Sequence, residues 1–474
     1  MNMKNIYRPV LGALLSFLVL PSCSTDKYLD LPPAHALVPE NAIRDEASSI
    51  IALNGVYSLL AGNDFGAYYS GAFGFMSGYQ NNANGLTSVY SFSTKYEDAI
   101  VENTWKASYK VVNAANVVIE GVNKLPGELF QGDKKATIIA EAKFLRAFAH
   151  FNIFRFYGRW FDAQRDPNSE WGIILRKQSS DLSNVKQRRS SVADTYQFIL
   201  DDLDAAIKEA PDFISGVRAS RLSAKVVKAQ VLLNRGTGDD YKTVLTLCDE
   251  ILNSGKRKLE GDFADVFKKA WSSSELIFSR FVEPKYRATD GYKSWFRAQS
   301  KPADIFYDLL QGDPRFKATI DTVLTMDDWN TTKYPALIKV TGSNKEKEEP
   351  VPTYFSRLPE VYFMKAECLA RTGANITTAI APVNIVRARV GLPALQPANQ
   401  QALMDAIYEE LVKEIGLENG SEWFASLRFT TPDGRQRIYG QKTSGTDIVE
   451  DRFIFPIPFS EISFNDLIKQ NPGY

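Results

Sequence analysis

Lys135–Tyr157 reads KATIIAEAKFLRAFAHFNIFRFY, and the fold turns on how this stretch is read. On a wheel of 3.6 residues per turn, its apolar side chains run from Ile138 and Ile139 through Phe144, Leu145, Phe148, Phe151 and Phe154 to Phe156. They cover far more than half of the circumference. Lys143, Arg146 and His150 leave only a narrow polar stripe. A helix this apolar has to be covered on several sides, so three or more neighbouring elements are expected to pack on it. Gly158 ends it.

Its neighbours in sequence are helical too. Thr104–Leu125 has helical period, stops at Pro126-Gly127 and predicts a first hairpin with the central helix. Ser191–Ala210 follows, with Ser191 and Asp194 at capping-box spacing, then Arg221–Arg235 and Tyr241–Ser254. Pro359 opens another helix, and Ile376–Val390 and Gln400–Leu417 complete the series. The repeat helices therefore fall near 104–157, 191–254 and 358–417. Ala366, Gly373 and Ala379 are spaced like the small residues of a tetratricopeptide unit, although no strict period of about 34 residues persists. The predicted class is mainly α, built of degenerate helical hairpins.

Two insertions interrupt this pattern, 61–100 and 256–352. The first is rich in glycine, asparagine, tyrosine and phenylalanine without a sustained apolar period, and reads as a long ordered loop. The second holds an expected strand at Glu275–Val282, an aromatic cluster at Tyr286, Tyr292, Trp295 and Phe296, and a solvated charged run at Lys345–Glu349.

Lysine plus arginine equals aspartate plus glutamate at 56 each, so no global field favours nucleic acid. Cys248 and Cys368 lie among apolar residues at helical spacing and read as core thiols. Cys23 differs, because it follows Lys4, Arg8, an apolar run from Val10 to Leu20, and Pro21-Ser22. That is the layout of a secretory leader with a lipid-acceptor cysteine. The expected division is a signal peptide at 1–22, a lipidated tether at 23–40 with three prolines, and a binding domain at 41–474.

With only His35 and His150, no HExxH motif or histidine metal cluster is present, and no Ser-His-Asp triad is expected. His150 reads as a structural, hydrogen-bonded histidine. Phosphate-binding glycine motifs are missing, so no cofactor is expected. The acids Asp64, Glu97, Asp98 and Asp290 keep a glycoside hydrolase open as an alternative. The loop aromatics point instead to sugar binding, since carbohydrate rings stack on Tyr and Trp while Asn and Gln take up hydroxyls. The candidate ligand residues are Tyr79, Gln80, Asn81, Asn82, Asn84 and Tyr90 from the first insertion and Tyr292 and Trp295 from the second. The two insertions are expected to meet on one face.

Cys23 with Tyr28-Leu29-Asp30, Asn54-Gly55-Val56-Tyr57, Glu141 through Ala147 with Tyr157-Gly158, Arg221 through Ala224, Tyr362 through Glu367, Phe455-Pro456-Ile457-Pro458 and Asn471-Pro472-Gly473-Tyr474 occur in this order. Together they resemble the SusD/RagB family of outer-membrane nutrient-binding lipoproteins. One departure lies at Glu418–Arg428, where Glu422 stands in place of an expected arginine and Ala425 in place of an aspartate. The resemblance implies tetratricopeptide-like hairpins on one side and a ligand face built by the insertions. It further implies a lipid-anchored, surface-facing protein that hands glycan to a TonB-dependent, SusC-like transporter without catalysis. A peptide ligand, as in some relatives, stays open.

Overall fold

The computed structural model describes residues 42–82, 87–289, 300–327, 330–341, 352–442 and 448–474. The longer elements are α1 (Glu46–Leu60), α2 (Asn63–Ser77), β1 (Gln80–Asn82), α3 (Ala99–Lys124), α4 (Lys134–Tyr157), α5 (Val192–Glu209), α6 (Arg221–Arg235) and α7 (Asp240–Asn253). They continue as β2 (Leu276–Ser279), β3 (Ser300–Pro302), β4 (Ile320–Asp327), β5 (Asn330–Leu337), β6 (Tyr354–Arg357), α8 (Leu358–Arg371), α9 (Ile376–Arg389), α10 (Gln400–Ile415) and α11 (Ser421–Arg428). Shorter helical turns are named by residue. Ile43–Tyr474 forms one unit, and the leader, the tether and Cys23 lie outside the described residues.

α1, α5, α6, α9 and α10 begin where a side-chain oxygen satisfies one of the first free N–H groups. Asp194 N donates to Ser191 Oγ at 2.9 Å, and Ser220 with Ser223 forms a reciprocal capping box on α6. Successive helices then pack in sequence order, α3 on α4, α4 on α5, α5 on α6, α6 on α7, α7 on α8 and α8 on α9. The molecule is mainly α-helical, as its sequence predicts.

α4 is the axis of the core, covered by α1, α2, α3, α5, β2, β6 and the C-terminal segment. Phe144 and Phe148 meet Phe278 of β2 edge-on at 4.9 and 5.4 Å, and Phe148 also packs on Phe355 of β6 at 5.0 Å. Phe154 meets Tyr196 of α5, Phe156 stacks on Phe73 of α2 at 4.4 Å, Tyr157 meets Trp105 of α3, and Phe455 stacks on Phe156. Even the polar stripe is covered. Arg146 makes a two-pronged pair with Asp202 at 2.7 and 2.8 Å, and His150 Nε2 accepts from Arg176 N at 3.3 Å. Burial, with Arg146 and Arg176 nearby, pushes the His150 imidazole down to about 3, so it stays neutral.

The motif residues serve this packing. Tyr57 Oη donates to Glu141 at 2.6 Å, Arg218 pairs with the same carboxylate at 2.8 Å, and Asn471 Nδ2 donates to the carbonyls of Tyr157 and Phe455. Cys248 and Cys368 are buried free thiols, and burial raises both.

One expectation is corrected. Much of the first insertion is not loop: α2 and β1 occupy it. Residues 71–80 are buried without a break, so the C-terminal half of α2 shows no polar face and no amphipathic period. Gly74 permits this packing, because a Cβ there would stand 2.2 Å from Gln80 Oε1. In the second insertion β2 falls inside the expected strand and pairs antiparallel with β6, while the β4–β5 hairpin was not expected. The run Lys345–Glu349 lies outside the described residues.

A buried ionic network fastens this insertion to the C-terminal helices. Arg357 bonds Glu275 at 2.8 Å, Glu414 at 2.8 Å and Glu418 at 2.6 Å. Arg315 joins Asp313 at 2.7 Å and Glu410 at 2.8 Å, Arg389 pairs with Glu275 and Glu414, and Lys339 reaches Glu418 at 3.2 Å.

Candidate ligand face

The two insertions meet through backbone. β1 and β3 pair antiparallel, with Gln80 opposite Pro302, Asn81 opposite Lys301 and Asn82 opposite Ser300. The turn into β1 is made by Gly78 at φ 80°, a left-handed conformation that favours glycine. A short helix, Thr87–Tyr90, packs against β1 and brings Tyr90 into the same neighbourhood as Asn81.

Alternation along a strand would send Tyr79 and Asn81 to one side and Gln80 to the other. Burial is less even. Tyr79 is 3% exposed and Gln80 is fully buried, so neither presents a surface to a ligand, which corrects the expectation for both. The Tyr79 ring meets Phe306 edge-on at 5.9 Å, and its hydroxyl bonds Tyr408 Oη at 3.2 Å and accepts from Gln441 Nε2 at 3.0 Å. Burial raises this phenol well above its ordinary value. Its partners lie more than three hundred residues away in sequence, which is why its polar surroundings suggested exposure.

Asn81 and Tyr90 are less deeply buried, although the Tyr90 ring packs partly against the core. Both are half-buried, and neither the Asn81 amide nor the Tyr90 hydroxyl has a hydrogen-bond partner among the described residues. Asn82 ends β1, while the Asn82 side chain, Asn84, Tyr292 and Trp295 fall outside the described residues.

Lys442 is a residue that sequence reasoning missed. Its ammonium lies 4.3 Å from the Tyr90 ring centroid and 4.2 Å from that of Phe92, and it donates to Tyr90 O. Burial pushes it down to about 7, while the ring faces and the carbonyl favour the charged form. No periodic or motif signal marks a lone lysine between Gln441 and Thr443.

The segment that departs from the expected pattern lies close by. Gly420, at φ 80°, leads into α11 and leaves room for Phe73, whose Cγ a Cβ there would meet at 2.7 Å. Glu422 is fully buried, and no side chain among the described residues bonds its carboxyl. Burial pushes it up to about 7, with the main-chain N–H groups of Glu422 and Leu417 and the Lys339 ammonium opposing the rise and Glu418 adding to it. The ion pairing in this segment runs instead through Glu418 and through Arg428, which grips Glu367 twice at 3.0 Å.

Comparison with known proteins fits this architecture. Residues 27–233 match a family described as starch-binding associating with outer membrane, and residues 325–474 match the SusD family. Together the two matches cover most of the chain and support its place in the SusD/RagB family. SusD-like protein P25 of Formosa agariphila is 23% identical over 97% of this chain and 98% of its own length. A SusD superfamily crystal structure from Bacteroides thetaiotaomicron superposes with a TM-score of 0.75 at 20% identity, covering 90% of this chain and all of that one. A laminarin-binding SusD-like protein superposes at 0.71 with 22% identity over 91% of this chain and all of its own. The family description gives starch binding and association with the outer membrane, and the family matches point to a non-catalytic binding role.

Proposed function

We propose that the protein captures an oligo- or polysaccharide on the face where β1 and β3 join the two insertions, and delivers it to a TonB-dependent, SusC-like transporter. The pairing of β1 with β3 carries this reading, because it joins the two insertions directly. Asn81 binds hydroxyls and Tyr90 contributes a ring, with Asn82, Asn84, Tyr292 and Trp295 completing the contact. Lipidation at Cys23 holds the protein on the cell surface, and the prolines of 23–40 keep the binding domain 41–474 clear of the bilayer. The family description and the laminarin-binding relative support glycan over peptide.

Titration of the intact protein with laminarin, starch and a peptide library tests the ligand class. Trp295→Ala and Tyr90→Ala are each expected to weaken glycan binding about 5- to 150-fold, the range for a lost stacking contact. Wild-type affinity in both variants would remove this face from consideration. Co-purification of a transporter barrel from solubilised membranes tests the delivery step.

A further inference from the structure

A separate cleft of about 390 Å³ opens where four helices end. α4, α6, α8 and α11 all stop around it, and each leaves carbonyl groups without intrahelical partners. The partial negative charge there favours cations, and four arginines line the cleft: Arg165, Arg235, Arg371 and Arg428. Each guanidinium already has a carboxylate partner. Arg165 pairs with Asp162 and Glu450, Arg235 with Asp240, and Arg371 and Arg428 share Glu367. An anionic ligand would have to displace one of these carboxylates, so the cleft is not built for a phosphate or a carboxylate.

The groups left over are neutral. Trp160 is 2% exposed, and its indole Nε1–H, closed off from solvent, has no hydrogen-bond partner among the described residues. Asn234 gives Oδ1 to Arg428 at 3.0 Å and keeps its N–H groups free. Gln164 and Gln436 donate through Nε2 to Gly236 O and Leu427 O, each at 2.8 Å, which leaves both Oε1 atoms free to accept. The Tyr241 hydroxyl can donate and accept. Among the described residues, free donors and acceptors on Asn234, Gln164, Gln436 and Tyr241 thus surround a space lined by the half-buried rings of Phe161 and Tyr241, with the Trp160 indole in its wall. A sugar ring presents the matching chemistry, since each of its hydroxyls both donates and accepts and its C–H faces are apolar. The volume lies within the range of small-molecule sites.

We propose that this cleft is a second saccharide site, which takes one neutral mono- or disaccharide unit and shares no residue with the β1–β3 face. The result does not depend on the function proposed for that face.

The test follows the indole N–H signals of the intact protein during titration with maltose and cellobiose, the Trp160 signal being assigned by its loss in Trp160→Phe. A saturable shift of that signal is expected, weakened about tenfold or more by Tyr241→Ala with Gln436→Ala. Gln164→Ala, at an exposed position, provides a second variant whose fold is not at stake, and it too is expected to weaken the titration. A Trp160 signal that does not move with either sugar overturns the proposal. So does a shift of equal midpoint in the folded variants, or tighter binding of glucuronate than of maltose.

Discussion

Glu422 shows how a single side chain can set a pH response. Its folded value of about 7 lies above the ordinary carboxylate value of 4.5, so between these two the folded state holds a proton that the unfolded state has released. The stability this contributes is fully present below about pH 4.5 and is lost as pH rises through 7. Glu422→Gln keeps the shape and cannot ionise. It is expected to be increasingly more stable than wild type as pH rises from 5 to 8, by roughly 3 kcal/mol at the upper end. Urea denaturation of both proteins at several pH values checks this, and a gap that does not change with pH rejects it. Two tyrosines in the same region separate scaffold from surface. Tyr79→Ala is expected to lower stability by about 3–5 kcal/mol, as for other large buried aromatics, whereas Tyr90→Ala is expected to act on glycan affinity. Melting curves set beside ligand titrations distinguish the two. Phe148→Ala belongs with Tyr79, since it removes a ring in contact with both β2 and β6 and opens a cavity in the main core.

Among the elements, the ionic network around Arg357 fastens β6 and the second insertion to α9 and α10. Deleting one member of a buried pair leaves its partner charged and desolvated, so Arg357→Ala is expected to cost about 3–5 kcal/mol. Because the pairs are shut away from solvent, added salt should hardly change that loss, and chemical denaturation at low and high ionic strength measures it. This network was not legible in the sequence, where its acids and arginines look like the polar faces of ordinary helices. What could be read was periodicity. α3 through α10 announced themselves through spacing, caps and glycine stops, and α4 through its surplus of phenylalanines. α2 was hidden because its C-terminal half, buried on every side, has no amphipathic pattern. The ligand face was half legible: Asn81 and Tyr90 stand near the pairing of the insertions, but Tyr79 and Gln80 were misplaced by one strand and a distant tyrosine. Trp160 and Tyr241 gave no sign of sharing a cleft, because convergence of helix ends is a property of the stacked hairpins and not of any one segment.

For the whole molecule, the proposed function places anchoring and capture at different parts of the chain. Cys23→Ala is expected to release the protein into the soluble fraction without changing glycan affinity. Detergent-free fractionation together with a laminarin titration checks both halves of that statement. Retention of the variant in the membrane would exclude lipid attachment at this cysteine.

The short β1–β3 ladder also has a kinetic meaning. It joins residues more than two hundred positions apart through only three residue pairs. Closing so long a loop is favourable only once the intervening helices have stacked, so the ladder should form late in folding. With few bonds to hold it, it should also open under native conditions before the helices around α4 do. The amide hydrogens of Asn81 and Lys301 would then exchange with deuterium long before those of α4. Bound glycan would slow that exchange, so the order in which the chain folds would be reversed by the order in which it lets solvent in.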